Sequence, residues 1–363
     1  MIYLFILLFI TFYLYSVRNL VSSGFLKQII VWIPCFLVFF IPMALQNDVG
    51  TDYTSYVDIY NYDSERWLYE DKKEYLFLWV VSLAKVFNSP QSIFVLFSFF
   101  ISIFFFFSLH ILRSEYDFKP WLLFFIYFTS TGIYNTSFNT LRQSVIVAIL
   151  PFLIHLFIKN KHLLFLLLVL SLSFLHKSAL FYLIFYPLLF TPNSKKLYLF
   201  LFISSAIVYA INLKSIVSGI MQIPIFSNLF GNYAYYVDSA FFDGGPILSV
   251  LTKLYYIPLF ILFWLLYIKD NRENKFFDFS IKIWSITCLM IIQIIYIGLF
   301  YRFWNMFVFL YVFPIYYVID FFIKKKNYLA VLLILVYLIL PYIAKTLFFP
   351  ESEYLYHFYN FIF

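Results

Sequence analysis

Four basic residues lie close to apolar segments: Arg142 in NTSFNTLRQSVIVA, His176 and Lys177 in SFLHKSALF, and Arg302 in GLFYRFWNMF. Each is expected just inside the start of a membrane helix. A helix N-terminus carries partial positive charge and unpaired N–H groups, so a cation there is unfavourable unless an anion is bound nearby. Arginine at such an end binds phosphate oxygens in a bidentate geometry. The pattern therefore predicts an anion site. A pyrophosphate there would use two or three charge-assisted bonds of about 1.5–3 kcal/mol each.

Carboxylates are concentrated in one segment, residues 47–74. Its sequence, NDVGTDYTSYVDIYNYDSERWLYEDKKE, holds eight: Asp48, Asp52, Asp58, Asp63, Glu65, Glu70, Asp71 and Glu74. Asp52 follows the second predicted membrane helix, and Gly50 permits a close backbone approach beside it. Glu74 precedes an apolar segment, a helix-start position that suits a carboxylate. We expect Asp52 and Glu74 to align or deprotonate a substrate hydroxyl, and most of the others to be solvated.

Aromatic residues accompany the carboxylates and recur further along the chain. They are Tyr53, Tyr56, Tyr60, Tyr62, Trp67 and Tyr69, then Tyr233, Tyr235 and Tyr236 in GNYAYYVDS. Such residues form belts at membrane interfaces. Their ring faces also stack on sugar C–H groups while carboxylates and amides hold the hydroxyls. Both interpretations stay open for these positions.

The cations also have structural explanations. Arg142 and Arg302 could be anchors whose guanidinium groups reach the interface, although ionisable residues at membrane depth are usually functional. His176 could be a hydrogen-bonded structural histidine. Four further lysines on the same predicted side are interpreted as interface residues: Lys85, Lys214, Lys253 and Lys345.

The elements that position these residues are apolar helices. The chain has 363 residues, of which 64% are hydrophobic and 12% charged, whereas a soluble domain carries roughly 25% charged residues. We predict an all-α polytopic membrane protein, a single domain over 1–363. Its twelve membrane helices are expected at about 1–17, 28–46, 91–112, 120–138, 140–158, 163–175, 177–190, 197–212, 247–268, 277–299, 303–323 and 328–347. Residues 75–87 are too short to span and predict a re-entrant or interfacial helix.

The distribution of Lys and Arg predicts the orientation. Alternate connections hold fourteen cations against four acids, which is typical of the cytoplasmic side. The cations are Arg18, Lys27, Arg113, Lys119, Lys159, Lys161, Lys195, Lys196, Lys269, Arg272, Lys275, Lys324, Lys325 and Lys326. The opposite side then holds two long segments, 47–90 and 213–246, and the tail 348–363. We expect both termini and the substrate-facing surface to lie outside.

Several kinds of chemistry have no motif here. The chain contains no GxxxxGK[ST], GxGxxG, HExxH or GxSxG sequence. Cys35 and Cys288 lie within apolar runs, and no Asp-x-Asp pair is present. We therefore expect no disulfide, no metal and no cofactor. The net charge of +7 comes from the Lys and Arg residues of the predicted cytoplasmic connections, so it does not indicate nucleic-acid binding.

Four stretches, VGTDYTSYVDIY, SFNTLRQSVIVAIL, SFLHKSALF and YRFWNMFVFLYVFP, occur in the order of a known family. Over about residues 45–320 the chain resembles the EpsG-like polysaccharide polymerases, a branch of the Wzy-type O-antigen and exopolysaccharide polymerases. The resemblance implies an inner-membrane glycosyltransferase of lipopolysaccharide or exopolysaccharide biosynthesis that works on undecaprenyl-pyrophosphate-linked oligosaccharides at the periplasmic face. It implies a fold like that of the lipid-carrier-dependent (C-type) glycosyltransferases. Membrane lipid and a chain-length regulator protein are the further partners expected, with no nucleic acid.

The family's motifs fall on particular residues. Its GTD pattern falls on Gly50, Thr51 and Asp52, its RQ pattern on Arg142 and Gln143, its H-x-S-A pattern on His176, Ser178 and Ala179, and its late Arg on Arg302. Two positions depart from the family. Where members often have an Arg shortly before GTD this chain has Asp48, and where they have Glu/Asp-Pro it has Glu74 and Tyr75. Roles tied to that Arg or that Pro cannot be carried over.

The expected roles combine both arguments. Arg142 and Arg302 bind the pyrophosphate, with His176 and Lys177 assisting, and Asp52 or Glu74 aligns the acceptor hydroxyl. The expected substrate-binding residues are Gly50, Thr51, Tyr53, Gln143, Lys177, Ser178, Tyr235 and Tyr236. Two alternatives stay open, an O-antigen ligase-type glycan transferase and a lipid-linked oligosaccharide flippase or transporter. A transporter is expected to carry ionisable residues at mid-membrane, and the centres of these helices hold almost none.

Overall fold

The computed structural model describes residues 1–19, 25–224, 244–245, 247–270 and 274–358. Within those ranges the regular structure is helical and no β-strand occurs; a single isolated β-bridge joins Gln46 to Phe358. The predicted all-α class is confirmed. Helices long and apolar enough to cross a membrane number eight in the described part of the chain: Ile2–Asn19, Lys27–Ala44, Gln91–Tyr116, Leu141–Ile158, Val250–Tyr267, Lys275–Ile295, Phe300–Lys324 and Tyr328–Phe348. The chain is thus a multi-pass membrane protein.

The other four predicted membrane helices are shorter or bent. Pro120–Thr131, His162–Ser173 and Lys177–Leu189 are apolar but have only 10–17 residues. The first ends where Gly132 adopts a left-handed φ of 72°, a conformation that terminates helices. Lys195–Ala210 and Lys214–Ile220 together are long enough, but they are bent by 95°. A count of twelve spans therefore stays a prediction.

The chain divides into two compact units. Unit 1 comprises Met1–Arg66, Phe77–Leu153 and Ile319–Phe363, and unit 2 comprises Trp67–Leu76 and Ile154–Val318. The helices that begin in unit 1 are Ile2–Ser16, Val17–Asn19, Phe25–Ala44, Tyr53–Asn61, Asp63–Arg66, Gln91–Tyr116, Pro120–Ile126, Tyr127–Thr131, Ile133–Thr136, Leu141–Ala148, Leu150–Ile158, Tyr328–Ile343, Ala344–Phe348 and Ser352–Tyr354. Those that begin in unit 2 are Trp67–Asp71, Tyr75–Lys85, His162–Ser173, Lys177–Ile184, Phe185–Leu189, Lys195–Ala210, Lys214–Met221, Ile247–Leu254, Ile257–Tyr267, Lys275–Thr287, Cys288–Ile295, Phe300–Phe307, Val308–Tyr311 and Val312–Lys324.

Unit 1 brings its predicted outer connections together at one end. The Tyr3 hydroxyl donates to the Glu353 carbonyl over 2.7 Å, and the Asn47 N–H donates to the His357 carbonyl over 2.9 Å. The side-chain amide of Gln91 donates to the Ala44 carbonyl over 2.6 Å. The start of the first helix, the end of the second, the start of Gln91–Tyr116 and the tail therefore meet.

The opposite end of unit 1 gathers predicted cytoplasmic cations. Arg113 donates to the Arg18 carbonyl over 3.1 Å. Asp320, which is 8% exposed, accepts from Lys119 and from Lys324, each over 2.6 Å. A largely buried carboxylate paired with two ammonium groups has its charge compensated locally.

Aromatic packing fills the interior of each unit. In unit 1, Phe39 stacks on Phe105 with ring centroids 4.9 Å apart. In unit 2, Phe260 meets Trp284 edge-on at 4.9 Å, and the Trp304 indole donates to Tyr311 over 3.1 Å. Offset and edge-to-face aromatic pairs stabilise a core beyond their buried area.

Candidate functional site

The GTD motif forms a turn that requires glycine at its first position. Gly50 has a φ of +80°, which residues with a Cβ rarely adopt. A Cβ placed there would lie 1.8 Å from Asn139 Oδ1. The close backbone approach expected from the sequence is therefore present, and its partner is an asparagine 89 residues later in the chain.

Asn139 connects the turn to the C-terminal tail. Its Oδ1 accepts from the Asp52 N–H over 3.3 Å, and its Nδ2 donates to Glu353 Oε2 over 3.2 Å. The Asp52 side chain is exposed and accepts from the Thr51 hydroxyl over 3.3 Å. Asp52 precedes helix Tyr53–Asn61 without capping it through its side chain. Its carboxylate is therefore presented at the surface of unit 1.

Arg142 and Gln143 lie in the first turn of helix Leu141–Ala148, as the sequence predicts. The Arg142 guanidinium is half-buried and its Cζ lies 4.6 Å from the centroid of the Phe77 ring, a cation–π contact. Gln143 is 4% exposed. The Arg142 head group is thus placed at a helix N-terminus, the location that suits an anion.

The aromatic residues of segment 47–74 divide between core and surface. Tyr53 stacks on Phe94 with centroids 4.6 Å apart, and its hydroxyl donates to Asn47 over 3.2 Å. Tyr56 is buried, whereas Tyr62 and Trp67 are 59% and 62% exposed. The exposed pair fits an interfacial belt or a sugar contact. Tyr235 and Tyr236 lie outside the described residues.

Asp63, in the same segment, is an exposed carboxylate that pairs with two cations. Asp63 is bonded by Lys85 over 3.0 Å and by Arg66 over 3.2 Å. The Lys85 hydrogen bond and the nearby Arg66 charge lower the pKa of the Asp63 carboxyl.

In unit 2, Glu74 lies against the turn that carries the histidine motif. Its side chain is completely buried, and Oε1 accepts from the Lys177 N–H over 3.4 Å. Two residues further on, the Leu76 N–H donates to the Phe174 carbonyl over 3.0 Å. Glu74 thus anchors the start of its own helix to the residues around His176.

His176 caps the helix Lys177–Ile184. Its Nδ1 accepts from the Ser178 N–H over 3.2 Å and lies 2.8 Å from the Ser178 hydroxyl. An Nδ1 that accepts a backbone N–H leaves the proton of a neutral imidazole on Nε2. His176, which is 7% exposed, therefore has a structural role as well as any chemical one. The H-x-S spacing is explained because a serine two residues on completes the cap.

Arg302 lies on the neighbouring helix of unit 2. The rings of Phe181 and Phe303 are 4.5 Å apart, and the Tyr182 hydroxyl donates to the Met306 carbonyl over 3.1 Å. Helices Lys177–Ile184 and Phe300–Phe307 therefore pack against each other. Arg302 lies in the first turn of the second helix, and His176 caps the start of the first.

Lys253 lies beside the helix that carries Arg302. Its Nζ lies 5.3 Å from the centroid of the Trp304 ring, and Trp304 is two residues from Arg302. The Trp304 indole is fixed because it donates to the Tyr311 hydroxyl, which donates in turn to the Cys288 carbonyl over 2.7 Å. The sequence suggested only an interface lysine here.

These positions can be compared with known proteins. The model of the EpsG family matches residues 29–361. The chain belongs to the EpsG family. The resemblance carried by four short motifs is confirmed, and the family is one of polysaccharide polymerase-type membrane proteins. No curated protein and no solved structure shows a significant match.

Two site residues escaped the sequence argument, Asn139 and Glu353. Asn139 stands inside the quoted stretch SFNTLRQ, and Gly50 indicated that something approaches the turn. Neither the motif nor the glycine shows that Asn139 is the residue that approaches Gly50, or that Glu353 bonds Asn139 from 214 residues away.

Proposed function

We propose that this EpsG-family chain is a polysaccharide polymerase of the O-antigen or exopolysaccharide type. It transfers an undecaprenyl-pyrophosphate-linked glycan onto the non-reducing end of a lipid-linked repeat unit, at the periplasmic face of the inner membrane. The observation that supports this best is the grouping in unit 2. Arg302 and the His176–Ser178 turn lie in the N-terminal turns of two helices that pack against each other.

The reaction needs no nucleotide, because the lipid pyrophosphate already activates the donor. The acceptor hydroxyl oxygen forms a bond to the anomeric carbon of the donor. The bond from that carbon to the phosphate oxygen breaks, and undecaprenyl pyrophosphate leaves with the electron pair. Negative charge therefore develops on phosphate, where preorganised cations stabilise the transition state.

Each cation has a place in this scheme. Arg302 in unit 2 and Arg142 in unit 1 bind pyrophosphate oxygens of the lipid-linked substrates, and Lys177 adds a charge beside His176. His176 holds the turn through Ser178 and contributes Nε2–H as a donor. Removing one preorganised donor costs about 10²–10³ in rate in comparable sites.

The two candidate bases differ in exposure. Asp52 presents its carboxylate at the surface, where it can accept the proton of the acceptor hydroxyl. Glu74 is buried and accepts from the Lys177 N–H. We therefore assign the base to Asp52 and a positioning role to Glu74.

The test is complementation of a deletion strain, with surface glycan resolved as a ladder on a gel. Wild type should restore the ladder, whereas Arg302→Ala should stop at core plus one repeat. Arg18→Ala is the matched control, because it removes an exposed arginine of a predicted cytoplasmic connection, and exposed charges contribute about 0–1 kcal/mol. Its ladder should remain complete at equal protein levels.

Other outcomes identify the rival functions. Polymer that accumulates on the lipid carrier, with no glycan beyond core, would identify a ligase. An unchanged ladder in the deletion strain would end the polymerase assignment and favour a transporter. Full-length polymer from both Arg142→Ala and Arg302→Ala, at normal protein levels, would overturn the roles given to those residues.

A further inference from the structure

One side-chain amide in unit 1 holds two parts of the chain that are far apart in sequence. Asn139 Oδ1 accepts from the Asp52 N–H, and Asn139 Nδ2 donates to Glu353 Oε2. The assignment of oxygen and nitrogen is fixed by these partners. A flipped amide would face N–H with NH₂ and carboxylate with oxygen, and both contacts would be lost.

The surrounding backbone is built to admit this amide. Gly50 lacks the Cβ that would collide with Asn139 Oδ1. The tail that carries Glu353 is held at two points, by Tyr3 at the Glu353 carbonyl and, three residues later, by the Tyr356 hydroxyl, which donates to the Pro42 carbonyl over 2.8 Å. The amide therefore lies between two fixed pieces of backbone.

We propose that Asn139 is a positioning residue, which holds the Asp52 turn against Glu353 of the C-terminal tail so that the Asp52 carboxylate meets the acceptor hydroxyl. The tail is thereby part of the acceptor site. This inference rests on the proposed polymerase function and deepens it.

The decisive experiment exchanges the amide of Asn139 and the carboxylate of Glu353 in two steps. Asn139→Asp keeps an oxygen for the Asp52 N–H, but it places an introduced carboxylate against Glu353. The polymerisation rate should fall on the order of tenfold to a hundredfold, since small displacements of reacting groups have such effects. Adding Glu353→Gln restores an N–H donor and the wild-type net charge, and should return most of the rate.

The readout uses purified full-length protein, an undecaprenyl-pyrophosphate-linked repeat unit as substrate, and a pH series. For Asn139→Asp alone, the rate relative to wild type should rise as the pH falls, because protonation of one carboxyl of the new pair restores a donor. The exchanged double variant should lack this rise. A purely structural defect would instead follow thermal stability, which is measured in parallel.

Two controls match the chemistry of the substitutions. Asn61→Asp adds the same charge at an exposed position of unit 1, and Glu351→Gln removes the same charge from an exposed position of the tail. Both should retain the wild-type rate and show no added pH dependence.

The results separate this inference from the proposed function. Wild-type rates for Asn139→Asp and Asn139→Ala would overturn the positioning role, as would a double variant no faster than Asn139→Asp at equal stability. If Asp52→Asn and Arg302→Ala are inactive in that case, the polymerase assignment stands and only the role of Asn139 fails. Full rates for Asp52→Asn and Arg302→Ala would instead remove the function on which the role depends.

Discussion

Gly50 shows how a single residue type fixes local geometry. The turn requires a positive φ and leaves no room for a Cβ beside Asn139. These are two independent requirements, one from backbone conformation and one from packing. Asp48, which stands where family members often have an arginine, fits the same turn. It also has a positive φ, of 50°, and aspartate tolerates this conformation better than most residues.

Gly50→Ala should lose polymer synthesis and lower the melting temperature of the purified protein. The left-handed conformation costs roughly 1–2 kcal/mol for a residue with a Cβ, and the clash with Asn139 adds to it. Thermal unfolding in detergent measures the loss. Adding Asn139→Ala removes the clash and should recover part of the stability, although not the activity.

The comparison for this substitution is Gly219→Ala. Gly219 lies in helix Lys214–Met221, and a Cβ there meets nothing within 4 Å. Alanine is favoured over glycine in a helix interior by roughly 0.5–1 kcal/mol. A melting temperature for Gly50→Ala equal to that of Gly219→Ala would contradict the crowding at the Gly50 turn.

At the scale of elements, a buried lysine of one helix in unit 2 bonds the carbonyls at the C-terminus of another. Lys282 is 1% exposed, and its Nζ donates to the carbonyls of Leu188 and Thr191, each over 2.7 Å. It also donates to the Asn193 side chain over 3.3 Å. A cation suits the C-terminus of Phe185–Leu189, where carbonyls lack partners. The lysine thus stabilises the turn that follows this short helix.

Lys282→Met should therefore destabilise the protein by about 2 kcal/mol, the scale of a lost hydrogen bond to a charged group. It keeps the length of the side chain but removes every donor. Lys196→Met is the control, because Lys196 is exposed on the same predicted side and carries the same charge. Equal unfolding temperatures for the two variants would show that the buried bonds contribute nothing.

Helix existence was predictable from the sequence, but helix length was less so. Long apolar runs predicted the eight long helices, because their periodicity and length are local properties. The end of Pro120–Thr131 depends on the left-handed conformation of Gly132. At the 95° bend near residues 211–213, the Tyr209 and Ile211 carbonyls accept from Gln293, which lies more than 80 residues later in the chain. The role of Lys282 could not be predicted from its apolar segment, since its carbonyl partners lie about 90 residues earlier in the chain.

At the scale of the molecule, the charge pattern grouped chain segments correctly within unit 1. Connections predicted on one side meet through Tyr3, Asn47 and Gln91, and cations predicted on the other side meet around Asp320. Contacts between segments that are distant in sequence could not be predicted in detail, because single-sequence patterns record which face a residue occupies and not which residue it meets.

The predicted orientation gives the last test, by labelling introduced thiols. Ser55→Cys and Glu351→Cys stand at exposed positions of segment 47–90 and of the tail, and Lys159→Cys and Lys325→Cys stand at exposed positions of predicted cytoplasmic connections. An impermeant maleimide added to cells with a permeabilised outer membrane should label the first pair only. The second pair should react after the inner membrane is opened, while native Cys35 and Cys288 are buried and give little background.

Because Lys159 and Lys325 flank the short and bent helices, labelling of just one of them from outside would mean that an odd number of segments crosses between them, and the twelve-span topology would be wrong.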